Sequence, residues 1–140
     1  MKRVFLMSLL SLICFASMNA QTKRVAKPAK TTVEVLYFHG KQRCPTCIAI
    51  GTYSKEVVSK DFPAQMKSGA LKFKEIDIST PEGEKVADKY HVTWSSLYVN
   101  RWQNGKEVCN DMTRFGFENA RTNTPVFKDG LKSKINQLLK

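Results

Sequence analysis

The sequence predicts one α/β domain, a central mixed four-stranded sheet flanked by helices. Three observations point there. Apolar runs of strand length alternate with stretches of helical period, a two-residue Asn104-Gly105 turn joins two late strand patterns, and an apolar helical face closes the chain.

Residues 33–38 are apolar except for Glu34, the pattern of a strand buried on both faces. After Gly40 comes Cys44-Pro45-Thr46-Cys47, which opens a helix over residues 48–58. There Cys47, Ile50 and Val57 recur at helical spacing while Lys55, Glu56 and Lys60 face elsewhere. Phe62-Pro63 interrupts that helix and Gly69 closes the region. Residues 71–78 read as a second strand. Thr80 then supplies an N-cap before Pro81, and the helix to Tyr90 turns Val86 and Ala87 toward a core. Residues 94–102 form the third strand pattern and residues 107–109 the returning one, antiparallel through the Asn-Gly turn. Residues 110–123, with Phe115 and Phe117, read as an irregular stretch. Thr124-Pro125 starts a final helix whose apolar face is Phe127, Leu131, Ile135, Leu138 and Leu139.

The ends of the chain bear on compartment. Residues 1–20 read as a secretory signal peptide: Lys2 and Arg3 form a basic start, residues 4–15 an apolar run, and residues 17–20 a small-residue approach to cleavage. The apolar run falls short of the about 20 residues that a membrane span requires. Cys14 lies inside it behind Ile13, where lipid attachment needs a small residue. The chain is therefore expected to be periplasmic or otherwise exported, and soluble once the signal is removed. Residues 21–32 have no apolar period, carry Lys23, Arg24, Lys27 and Lys30, and read as a basic flexible tether. Residues 33–140 form the domain, with room for one core. The chain holds 23 Lys plus Arg against 12 Asp plus Glu, a net charge of +11. Through the tether this allows at most weak, salt-dependent association with an anionic membrane surface. Nucleic acid is excluded as a partner, because no recognition motif accompanies the charge.

Of the four cysteines, Cys44, Cys47 and Cys109 remain after the signal, an odd number that argues against a disulfide-stapled scaffold. Cys44 and Cys47 stand three positions apart at a helix start, where their sulfurs can close a small reversible disulfide. Cys44 sits where free backbone N–H groups and the helix dipole favour thiolate, and Lys41 and Arg43 add positive charge beside it. It is expected to attack, and Cys47, deeper and on the apolar side, to resolve. Pro45 costs little in a first helical turn and stiffens the loop that it shares with Thr46. Cys109 is expected to pack in the core as a small hydrophobe.

A strand, a dithiol-started helix, a strand, a helix, a hairpin and a terminal helix is an order that resembles the thioredoxin-like superfamily over residues 33–140. The matching pieces are Cys44-Pro45-Thr46-Cys47, Ile76-Asp77-Ile78, Tyr90-His91-Val92 and Asn104-Gly105. More narrowly, Phe38-His39-Gly40, Trp94-Ser95-Ser96-Leu97 and the stretch from Arg114 to Arg121 resemble small exported thioredoxin-like proteins of the nitrophenyl compound nitroreductase subunit ArsF family. The resemblance implies a thioredoxin fold and a redox-active disulfide centre that exchanges with disulfide- or thiol-containing protein substrates and a redox partner, with no cofactor. The chain departs from the superfamily twice. The place of its cis-proline falls on Ser96 or Leu97, and a non-proline cis bond costs about 2.5–4 kcal/mol, so a trans bond is expected there. No carboxylate lies between Val35 and Arg43 to take the resolving thiol's proton, which leaves His39 or water. A reading from another class also stands: two thiols without a shielding proline could hold copper(I) or arsenite. Zinc would require four ligands, and Cys109, His39 and His91 stand at no recognisable spacing.

Overall fold

The structure, a computed structural model, describes residues 30–140. The signal-peptide reading, Cys14 and residues 21–29 of the tether lie outside the described residues. Among those described, no helix is long and apolar enough to cross a membrane.

Strand β1 spans Thr32–His39, β2 Leu71–Asp77, β3 Ser96–Gln103 and β4 Lys106–Val108. Their order is β2-β1-β3-β4, with β1 parallel to β2 and antiparallel to β3, and with β3 antiparallel to β4. The sheet is thus mixed and four-stranded, as its sequence predicts. β1 begins one residue earlier than expected because Thr32 pairs with Trp102. The last hairpin closes on Gln103 opposite Lys106. Asn104 and Gly105 take φ values of 54° and 73°, the left-handed pair that a two-residue turn of matching twist requires.

Helix α1 (Pro45–Asp61) is longer than the periodicity of residues 48–58 suggests. Cys44 is its extended N-cap and Pro45 its first residue, so the dithiol forms the helix's first turn rather than preceding it. It stops at Phe62, because the residue before a proline is disfavoured in helical geometry, and Pro63 restarts the chain as α2 (Pro63–Ser68). Helix α3 (Pro81–Tyr90) is capped by the Thr80 hydroxyl, which accepts the Gly83 N–H. Helix α5 (Thr124–Leu139) buries Phe127, Leu131, Ile135 and Leu138.

One element corrects the irregular reading of residues 110–123: Thr113–Asn119 is a helix, α4. Its seven residues are too few to display a period. Its start is held by Asp111, whose carboxylate accepts the Thr113 N–H at 2.8 Å. Gly116 lets it lie against Ile50 of α1.

The pleat divides the sheet into two faces. Val33, Val35 and Tyr37 of β1 and Leu97 and Val99 of β3 meet α1 and α5 in the main core. Leu36 and Phe38 meet Ala87 and Val92, at the α3 side, in a smaller cluster flanked by Tyr90 and Tyr98. A parallel β1–β2 pair joined through α1, α3 leading into an antiparallel β3–β4 hairpin, and α5 returning across the first face constitute a thioredoxin-like α/β fold.

Cys109 is exposed, not in the core. β4 is a three-residue edge strand, so nothing covers the chain where it ends, and neighbouring Val108 is exposed as well.

Candidate redox site

Cys44 and Cys47 are joined as a disulfide, with a Cα–Cα distance of 5.0 Å. The two sulfurs have unlike surroundings. Cys44 stands exposed at the N-cap, whereas Cys47 is only 7% exposed, on the buried face of α1. The Cys47 N–H donates to Cys44 Sγ at 3.0 Å, a donor already aimed at the atom that carries negative charge once the pair is reduced. Pro45 and Thr46 form the rest of the turn, Pro45 exposed and Thr46 half-buried.

Beneath this turn, in the part of β1 after Val35 that carries no carboxylate, stands Tyr37. Its hydroxyl donates to the Cys47 carbonyl at 2.6 Å, and its ring is fully buried. The fit depends on Gly51: a Cβ there would collide with the Tyr37 ring, so only glycine lets α1 pass over the tyrosine. Burial pushes the Tyr37 hydroxyl above its ordinary pKa, against the pull of the nearby Arg43 guanidinium, so it remains a neutral donor. His39 is buried beside it, with ring centroids 5.5 Å apart. Its Nδ1 donates to the Gly40 carbonyl at 3.0 Å, and its Nε2 lies 3.4 Å from Glu75. Arg43 donates to the same Glu75 carboxylate at 2.9 Å. The positive charge expected beside Cys44 is therefore shared with an acid from β2 that sequence reasoning left out.

Over the sulfurs opens a groove of about 480 Å³, lined by Gly40, Gln42, both cysteines, Ile78, Thr93, Trp94, Ser95 and Phe117. From the loop before β3, Thr93, Trp94 and Ser95 line this groove, and Ser96 and Leu97 follow them. Both of the latter already belong to the β3 ladder, where Ser96 pairs with Phe38 and Leu97 with Tyr37. The pleat sends Leu97 into the main core, while Ser96 lines a neighbouring cleft. No peptide bond among the described residues is cis. Trp94, 60% exposed, stacks on Phe117 of α4 at 5.2 Å and 21°. The sequence signal for this wall was the Arg114–Arg121 stretch that carries the narrower resemblance, in which no period is visible. It becomes legible only once α4 is known.

Cys109 stands apart from the dithiol. Desolvation and the Glu107 carboxylate push its thiol above the usual range, which makes it a poor nucleophile. His39 and His91 do not join the cysteines: among the described residues, no three His, Cys, Asp or Glu side chains are grouped to hold a metal.

No family model and no curated protein matches this chain. Among solved structures it is similar to a malarial protein, at 20% identity over 59% of this chain and 82% of that one, with a TM-score of 0.41. It is also similar to a thioredoxin from Thermus thermophilus, at 18% identity over 76% of this chain and 72% of that one, with a TM-score of 0.43. Fasciola hepatica thioredoxin aligns at 19% identity over 76% of this chain and 81% of that one, with a TM-score of 0.43. The assignment of the fold rests on the strand order, strand directions and helix placement: the chain is a thioredoxin-like α/β domain with a cysteine pair at disulfide distance at the start of α1.

Proposed function

We propose that the protein is an exported thiol–disulfide oxidoreductase. The observation that carries this reading is the asymmetry of the pair, one sulfur exposed at a helix N-cap with a backbone N–H aimed at it and the other buried behind it. In the reducing direction the Cys44 thiolate attacks one sulfur of a substrate disulfide. A Cys44–substrate bond forms, and the other substrate sulfur leaves as a thiolate. Cys47, having lost its proton to solvent, then attacks Cys44 Sγ. The second substrate thiolate departs, the internal disulfide forms, and two electrons have passed to the substrate. The oxidising direction is the reverse.

Two further observations support the reading. The groove over the sulfurs is walled by Trp94, Phe117 and Ile78, apolar surface on which a polypeptide can lie. Tyr37 pins the carbonyl of the resolving cysteine from below. The narrower ArsF-family membership is part of the same proposal: the segments that carry that resemblance contribute Gly40, Trp94, Ser95 and Phe117 to this groove.

The test is equilibration in glutathione buffers, followed by insulin reduction. A defined reduction potential is expected, with about 30 mV corresponding to tenfold in equilibrium for a two-electron couple. Cys44→Ser is expected to abolish turnover, and Cys47→Ser to accumulate mixed disulfides with partners. A reduced protein that turns over no disulfide yet retains copper(I) or arsenite through both sulfurs would replace the reading with metal handling. Export is tested separately, by fractionation and by N-terminal sequencing for cleavage after Ala20.

A further inference from the structure

Beside the dithiol groove lies a second cleft of about 580 Å³ that disulfide exchange itself does not require. Trp94 and Phe117 line both, so the stacked pair is a wall that the two cavities share. Its remaining walls include Tyr98, Asp111, Arg114 and Glu118.

Two features indicate what it takes. The first is charge. Arg114 donates to Glu118 at 2.7 Å, so those two offset each other. Asp111 makes no ion pair among the described residues. One of its oxygens accepts the Thr113 N–H and the Tyr98 hydroxyl lies against the same carboxylate, which has lone pairs left over to accept from a ligand. With His91 counted as neutral, the lining carries one net negative charge, on a chain whose net charge is +11. The second is the aromatic wall. An indole 60% exposed, stacked on one side by Phe117, offers the ring type that best attracts a cation. A carboxylate and an indole lining one cleft are complementary to an ammonium or guanidinium group on an apolar stem.

We propose that this cleft seats a Lys or Arg side chain of the protein substrate, a few residues from the cysteine that Cys44 attacks. The proposal rests on the oxidoreductase reading for its substrate, but not for the binding itself.

Both can be read separately. Three short peptides differ only in one residue near a cysteine, Lys, Gln or Glu, and each carries that cysteine as a mixed disulfide with thionitrobenzoate, whose release is followed optically. With reduced wild-type protein, the Lys peptide is expected to react roughly three- to tenfold faster than the Gln peptide, the size of an exposed ion pair plus a cation–π contact, and the Glu peptide slowest. Asp111→Asn, which keeps an acceptor for the Thr113 N–H, is expected to lower the Lys-to-Gln ratio by about two- to fivefold, the ion-pair part, and to leave the smaller cation–π preference. Its rate on 2-hydroxyethyl disulfide reports whether folding and chemistry survive. The second measurement is tryptophan fluorescence of the oxidised protein titrated with thiol-free versions of the peptides. A saturable change with the Lys peptide, absent with the Glu peptide and weakened in Asp111→Asn, is expected. Equal rates and equal titrations for all three peptides would overturn the cleft while leaving the oxidoreductase reading intact. Selective titration without any disulfide turnover would do the reverse.

Discussion

The two faces of the sheet are built from different materials. On the α1/α5 face, Ile50, Val57, Phe127, Leu131 and Ile135 close over Val33, Val35 and Tyr37 in a continuous apolar core. On the α3 face the apolar cluster is small, and toward β4 it gives way to a polar network. Glu34, 8% exposed, accepts from Lys74 and from the Trp102 indole. Glu107 of β4 accepts from Lys89, Tyr90 and Asn100, while Lys89 sits 4.9 Å above the Trp102 ring. Two helices can seal a face completely; one ten-residue helix cannot, and the strand ends that it leaves uncovered are finished with charges that remain in reach of water. The dithiol belongs to the sealed face, where burial separates Cys47 from Cys44. The proposed cation cleft borders the open one through Val92 and Tyr98, where the Asp111 carboxylate keeps acceptor capacity.

If the comparison holds, the largest stability loss lies on the sealed face. Phe127→Ala should cost about 3–5 kcal/mol, the range for emptying a buried aromatic site, read as a drop in urea midpoint. Glu107→Gln, on the open face, should cost less, about 2 kcal/mol, the scale of hydrogen bonds to a charged group. A loss equal to that of Phe127→Ala would show that the network rather than the apolar core organises the domain.

The pH dependence sharpens this second prediction. Burial works to raise the Glu107 pKa, but the bonds from Lys89, Tyr90 and Asn100 outweigh it and hold the carboxyl below its ordinary value. A depressed carboxyl contributes its stability above the unfolded pKa and loses it as pH falls through the folded one. The gap between wild type and Glu107→Gln should therefore be open at neutral pH and close below about pH 4. A gap unchanged at pH 3 would mean that shape, not charge, is what the variant removes.

Smaller effects return to the sealed face. Gly51→Ala drives a methyl into the Tyr37 ring and should cost about 1–3 kcal/mol, as overpacking does. It should also alter the reduction potential, because the ring holds the carbonyl of Cys47; an unchanged potential would show Tyr37 to be packing alone. The smallest expected change is a gain. Ser54 is buried in the middle of α1 with a hydroxyl that finds no partner, so Ser54→Ala should stabilise the protein by about 1 kcal/mol in the same urea series. A loss instead would mean that the hydroxyl is bonded after all.

Local chemistry made much of this readable in the chain itself. Asn104-Gly105 dictates its hairpin because few other pairs adopt two consecutive left-handed residues. Thr80-Pro81 and Phe62-Pro63 mark their helix boundaries through a missing N–H and a fixed φ. Cys44-Pro45-Thr46-Cys47 declares a helix-start dithiol through spacing alone. Properties that depend on what lies across the fold were not readable. Cys109 looked like a core residue until its strand proved to be a three-residue edge, and α4 was too short to show a period. Ser96 and Leu97, the place of the superfamily's cis-proline, belong to the β3 ladder, and the alternation of side chains about a strand sends them to opposite faces. Tyr37 under Cys47, Glu75 on Arg43 and Trp94 on Phe117 join residues distant in sequence, and no spacing rule anticipates such pairs. Backbone preference acts over a few residues and is written in the chain; burial and pairing are set by which surfaces meet, and that only the tertiary structure decides.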